Sequence, residues 1–145
     1  TFEISLRILL MLNCISPLQL DEQQIGMIDF IAVYAADFGL LDENLHGYSN
    51  YRFSEFPARK QPIQVALREL ILDEYVHLTS TSKGYEYAIT AAGKNVCKQL
   101  HSSYSEEYCL AVKTTVSAFN HADTTAMLNA INNLTVKSLK EVTHE

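Results

Sequence analysis

The sequence predicts a mainly α protein with one small β-hairpin, and three observations carry that expectation. Apolar residues recur at helical spacing through most of the chain. The cleanest case is Ile63, Ala66, Leu67, Leu70 and Ile71, which share one helix face. The period changes once, where the β-branched and aromatic runs Tyr75–Thr79 and Tyr85–Ile89 bracket a Ser80–Gly84 turn. Residues that cap helices stand where the helical patterns open: Asp21, Thr90, Ser102 or Ser103, and Asp123.

The first helix spans Thr1–Asn13, because Leu6, Leu9, Leu10, Met11 and Leu12 are straight-chain helix formers and Pro17 stops the pattern. Asp21 caps the second helix, and Gln24, three residues on, completes a capping box. Its apolar set of Ile25, Ile28, Phe30, Ile31, Val33, Tyr34 and Ala35 is too wide for one face, so this helix packs on two sides. Gly39 is its natural stop. A third helix starts at Pro57 or Pro62. After the hairpin, Thr90 caps a helix running to about Leu100, whose intrinsic stability Gly93 lowers.

Three helices followed by a hairpin is the order of a winged helix. The run from Tyr87 to Gly93 also resembles the strand-to-helix corner of many winged-helix proteins. Beyond it, Tyr104, Tyr108, Leu110, Ala111, Thr115 and Phe119 mark one further helix. His121-Ala122-Asp123 breaks it, and Met127, Leu128, Ile131, Leu134 and Leu139 mark the last. The expected organisation is a winged-helix-like domain over residues 1–101, with a long loop between its second and third helices. A C-terminal helical pair over 102–145 then packs on that domain or on a partner.

The chain has 145 residues, 48% of them hydrophobic, enough for one core. No apolar run approaches the roughly 18 residues of a membrane span, and no cleavable signal is evident, so a cytoplasmic location is expected. Cys14, Cys97 and Cys109 are odd in number and set among apolar residues, and read as buried thiols of a reducing compartment. Net charge is −6. Residues 1–51 hold a single Arg against seven acids, so the concentrated basic face of an unaided DNA reader is missing. Zinc spacing, a nucleophile signature and Gly-rich phosphate loops are absent too. The expectation is therefore no enzyme, no metal and no cofactor.

The most informative stretch is the loop from Gly39 to Pro57. At about 17 residues it is longer than most connections in a compact domain. It and its entrance carry Asp37, Asp42, Glu43, His46, Tyr51 and Arg52. Its aromatics argue against disorder, and it reads as an ordered loop presenting a surface. Asp37 and Arg52 are expected to pair and hold the loop against the preceding helix. His46 beside Asp37, Asp42 and Glu43 fits a histidine whose hydrogen bonds fix the loop better than a metal or acid–base site. Tyr51, Arg52, Arg59, Lys60 and Arg68 form the best basic-aromatic grouping, with Arg and Tyr favoured at protein interfaces.

This stretch resembles the middle-component subunits of bacterial ABC-type three-component systems, including the small subunit of Lamassu-type anti-phage defence operons. The residues that carry the resemblance are Asp29-Phe30, Asp37, Glu43-Asn44-Leu45-His46, Tyr51-Arg52, Glu55 and Arg59-Lys60, with Tyr85, Leu100 to Tyr104 and Leu110 behind them. It covers residues 1–119. Three positions depart from the family pattern: Asn44 for Ser, Gly47 for Pro, and Lys60 for the second Arg of a pair. Lys cannot make the bidentate fork of Arg.

The resemblance implies an accessory subunit without catalysis of its own. It would bridge an SMC-like ABC-type ATPase and a nuclease effector of the same operon, restraining the effector until DNA is sensed. DNA would be met through the complex, and no membrane is involved. Partner contacts are expected at Asp37, Glu43, Leu45, His46, Tyr51, Arg52, Arg59 and Lys60, and nucleic-acid contact, if any, at Arg59, Lys60 and Arg68. The alternative is a winged-helix transcriptional regulator. Its third helix would have to read the major groove, yet it offers only Gln64, Arg68 and Glu69 with Asp73.

Overall fold

A computed structural model describes residues 2–143 of the chain. It is mainly helical with one two-stranded antiparallel hairpin: α1 (Phe2–Cys14), α2 (Glu22–Val33), α3 (Glu55–Ala58), α4 (Lys60–Leu72), β1 (Val76–Thr81), β2 (Gly84–Ile89), α5 (Ala91–Lys98), α6 (Ser103–Ala118) and α7 (Thr124–Thr143). The expected start of the first helix, Thr1, lies outside the described residues.

Helix α2 is the axis of the core. Ile25, Met27, Ile28, Phe30, Ile31, Ala32 and Val33 are all buried, because α1, α3, α4, α6 and α7 pack around it. Tyr108, Val112 and Met127 of α6 and α7 belong to the same apolar cluster as Ile8 of α1 and Leu67 of α4. The wide apolar set in the sequence is thus enclosed on more than two sides.

The caps form as their chemistry dictates. Asp21 Oδ1 accepts the Gln24 N–H at 2.8 Å while Gln24 Oε1 accepts the Asp21 N–H at 2.9 Å. Thr90 Oγ1 accepts from the Gly93 amide, Ser102 Oγ from Ser105, and Asp123 Oδ2 from Ala126. The α6–α7 corner is sharp: Asn120, His121 and Ala122 all have φ between 51° and 62°, and Gln24 Nε2 donates to the Ala122 carbonyl at 3.0 Å.

Two boundaries differ from expectation. Helix α2 stops at Val33 rather than at Gly39; the chain continues in turns, and Gly39 (φ 71°) closes one in which the Leu40 N–H reaches the Ala35 carbonyl. The helix expected from Pro57 or Pro62 is two helices, α3 and α4. Each proline is the third residue of its own helix, where the missing N–H would have had no intrahelical partner.

In the hairpin Val76 pairs with Ile89, Leu78 with Tyr87 and Thr81 with Gly84. Leu20 adds a single bridge on the far edge of β2, exchanging backbone hydrogen bonds with Tyr87. Gly93 turns out to be a packing requirement. A Cβ there would lie 2.3 Å from the Tyr75 carbonyl oxygen and 2.7 Å from Ile89 Cγ1. Gly93→Ala is therefore expected to destabilise the protein by about 1–3 kcal/mol in urea unfolding. A gain of about 1 kcal/mol, as helix propensity alone dictates, would show that α5 does not approach this closely.

Candidate functional site

The site is built on a buried carboxylate. Asp29 interrupts the apolar face of α2 and is 2% exposed. Its Oδ1 accepts from Arg7 Nε at 2.8 Å and from the Tyr108 hydroxyl at 2.6 Å; its Oδ2 accepts from Arg7 Nη2 at 3.2 Å and Arg59 Nη1 at 3.0 Å. Arg59 Nη2 also donates to Glu55 Oε1 at 2.9 Å, and the Tyr34 hydroxyl donates to Glu55 Oε2. Two guanidinium groups and two carboxylates balance.

Burial works against ionisation of Asp29, but the Arg7 hydrogen bonds, the charges of Arg7 and Arg59 and the Tyr108 hydroxyl outweigh it and hold its pKa below the ordinary value. Burial pushes the Tyr108 hydroxyl well up, with the Asp29 charge adding to it. Asp29 stays ionised and Tyr108 stays a donor. One carboxylate so ties α1, α2, the α3–α4 junction and α6 together.

The loop between α2 and α3 is fastened from this base. Phe30, next to Asp29, makes edge-on or tilted contacts with Phe38, Phe53 and Phe56 at centroid distances of 5.4–6.2 Å, pairs worth about 0.5–1.5 kcal/mol each beyond burial. Farther out, Arg52 grips Asp37 with both arms, at 2.7 and 2.9 Å, as expected, and its plane lies over the Phe53 ring at 4.7 Å. Asn44 satisfies the interior of the turn. Its Oδ1 accepts the amides of Ala36 and Asp37, and its Nδ2 donates to Asp37 Oδ2 and the Gly47 carbonyl. Ser has one donor where that set uses two. Gly47 has φ 80°, a conformation closed to the Pro of the family pattern.

The expected site residues sort into held and presented groups. Asp37, His46, Arg52 and the partly buried Leu45 hold the loop. The His46 amide donates to the Val33 carbonyl at 3.1 Å, and its Nε2 lies 2.8 Å from the Tyr104 hydroxyl. Arg59 is buried, its guanidinium committed to Asp29 and Glu55. Glu43 is exposed and accepts from the Tyr48 hydroxyl at 2.6 Å. Tyr48 (53% exposed), Tyr51 (74%), Lys60 and Arg68 face solvent. Tyr51 edges a groove of about 480 Å³ shared with Phe56, Ile131 and Leu139. Arg7, His46 and Tyr104 line a second, of about 540 Å³, walled by Leu6, Leu10 and Leu100.

Arg7 and Tyr108 were absent from the expected site. A signal for them existed: Arg7 is a lone charge in an apolar helical run, as is Asp29 in the next helix. Two opposite charges so placed need each other.

A sequence model described as the ABC-three component (ABC-3C) system Middle Component 2 matches residues 1–141. The chain belongs to this family. No curated protein and no solved structure matches it. The match extends to residue 141 in α7, beyond the residues that carried the resemblance in the sequence. A Middle Component 2 protein is one part of a multi-component system, so surfaces that meet other subunits are expected of it. Among the described residues no helix is long and apolar enough to cross a membrane.

Two measurements test the site. Asp29→Asn leaves buried Arg7 without a counter-charge and Arg59 with Glu55 alone, and is expected to cost about 3–5 kcal/mol in urea unfolding at pH 7; a loss under about 1 kcal/mol would contradict the network. His46 gives the second. Burial first, then the charges of Arg7 and Arg59, hold its pKa below the ordinary value. The folded state so favours the neutral ring, and stability is full above the unfolded value near 6.5 and declines as pH falls through it. Urea midpoints at pH 7 and pH 5 should show this decline, and His46→Gln should make it smaller.

Proposed function

We propose that this Middle Component 2 protein is a non-catalytic accessory subunit of an anti-phage or anti-plasmid defence complex of the Lamassu kind. In this reading it bridges an SMC-like ABC-type ATPase and a nuclease effector encoded beside it, and restrains the effector until DNA is sensed. It does so in the cytoplasm, through a winged-helix-like unit over 1–101 and a helical extension beyond it. The Leu20–Tyr87 bridge, a single residue pair on the outer edge of β2, supports the winged-helix part of the reading.

The observation that carries the proposal is the contrast within the loop. Its interior is pinned by the Asp37–Arg52 pair, Asn44 and the Phe30 cluster. Yet it holds Tyr48 and Tyr51 out in solvent. Exposed tyrosines on a rigid support lose little conformational freedom on binding and make good interface anchors. Asp37, Leu45, His46, Arg52 and Arg59 then serve by positioning that surface, while Glu43, Tyr51 and Lys60 touch the partner. For DNA held within the assembly, Lys60 and Arg68 are the exposed cations of α4. Net acidity argues against the alternative role as a free-standing regulator of transcription.

Co-expression with the two neighbouring gene products tests this. The wild type is expected to co-purify with them. The double variant Tyr51→Ala/Lys60→Glu should bind at least about 30-fold more weakly, the size of a hot-spot loss, with an unchanged melting temperature. A wild-type chain that stays monomeric beside both partners would overturn the proposal.

A further inference from the structure

Two of the three cysteines meet across a helix contact that the reading above does not use. Cys14 ends α1 and Cys109 sits in α6, 95 residues away in sequence. Cys14 Sγ lies 4.0 Å from the Cys109 carbonyl oxygen, and Cys109 Sγ lies 3.9 Å from the Leu10 carbonyl on α1. Cys14 Sγ also lies 3.3 Å from the Met11 carbonyl oxygen on its own helix. Both thiols are part-buried, so neither is sealed from a small reagent, whereas Cys97 is buried. Lys113, exposed one turn after Cys109, adds positive charge on the Cys109 side.

We propose that Cys14 and Cys109 form a peroxide-oxidisable dithiol that closes to a disulfide between α1 and α6. The geometry divides the labour. The adjacent Cys14 thiol lowers Cys109 to about 7, with Lys113 helping against the effect of burial, while the adjacent Cys109 and burial push Cys14 up. Cys109 is the sulfur that carries the negative charge near neutral pH, and Cys14 is the resolving thiol beside it. Cys97 is pushed up to about 11 by burial and by the nearby Cys109 charge, which leaves it a thiol under the same conditions.

The oxidant is a hydroperoxide. The Cys109 thiolate attacks one peroxide oxygen, the O–O bond breaks, and the departing oxygen takes a proton to leave an alcohol or water. Cys109 is then a sulfenic acid. Cys14 sulfur attacks the Cys109 sulfur; the S–S bond forms, the S–O bond breaks, and the hydroxide leaves as water with the Cys14 proton. Two thiols lose two electrons and the peroxide gains them. The bond would fasten the two helices that supply Arg7 and Tyr108 to Asp29, and in a reducing compartment it would be transient.

The test uses the full chain, freed of reductant and treated with one equivalent of hydrogen peroxide at pH 7. Thiols are then blocked with N-ethylmaleimide, and unreduced peptides are mapped by mass spectrometry. The expected product joins the Cys14 and Cys109 peptides, leaves Cys97 alkylated, and melts at least about 5 °C higher than the reduced protein. In Cys14→Ser the sulfenic acid should persist on Cys109 and be trapped by dimedone. Cys109→Ser should consume peroxide at least about tenfold more slowly than wild type. A Cys97–Cys109 bond, disulfide-linked dimers alone, or Cys109 sulfinate with no crosslink would each overturn the proposal.

Discussion

The carboxylate of Asp29 is the constraint on which the rest of the structure depends. Three segments far apart in sequence deliver Arg7, Arg59 and Tyr108 to it, and all three residues are buried. Their value lies less in net energy than in exclusivity. Ion pairs taken from water recover little more than their desolvation cost, and an apolar core of this size could cohere without them. But an arrangement lacking Arg7, Arg59 or Tyr108 leaves the others short of partners, and that is costly. The network so penalises alternative packings of α1, α2, the α3–α4 junction and α6.

The loop inherits its order from that base. Arg59 and Glu55 sit at its far end, Phe30 adjoins Asp29 at its root, and the Asp37–Arg52 pair spans the middle. A single ion pair near the surface contributes little by itself. Here the bidentate geometry, the stacking on Phe53 and the donation from Asn44 act on the same two side chains. A long connection becomes a fixed platform, and the cost of ordering it is met on folding rather than on binding. This links the interior chemistry to the surface proposed to meet other components of the system.

Much of this was legible in the sequence wherever the chemistry is local. The Asp21–Gln24 box and the Thr90, Ser102 and Asp123 caps follow from side chains acting within three residues. The Asp37–Arg52 pair was readable because both residues flank one loop. What escaped was long-range. Tyr108 is 79 residues from Asp29, and helical periodicity files it as one more apolar position. Arg59 looked like a surface cation, because its neighbour Lys60 is one and spacing alone does not show which of the two turns inward. Gly93 looked like a defect of helix propensity, because the Tyr75 carbonyl that excludes a side chain belongs to another element.

The central claim is that the loop is a rigid platform before any partner arrives. Hydrogen–deuterium exchange on the isolated chain at neutral pH tests it most directly, read at the amides of His46 and Arg59, which donate to the Val33 and Glu55 carbonyls at 3.1 and 2.9 Å. The account predicts that these amides exchange at least about 100-fold more slowly than in an unstructured peptide. Exchange at the unstructured rate, slowing only once partner subunits are added, would contradict it.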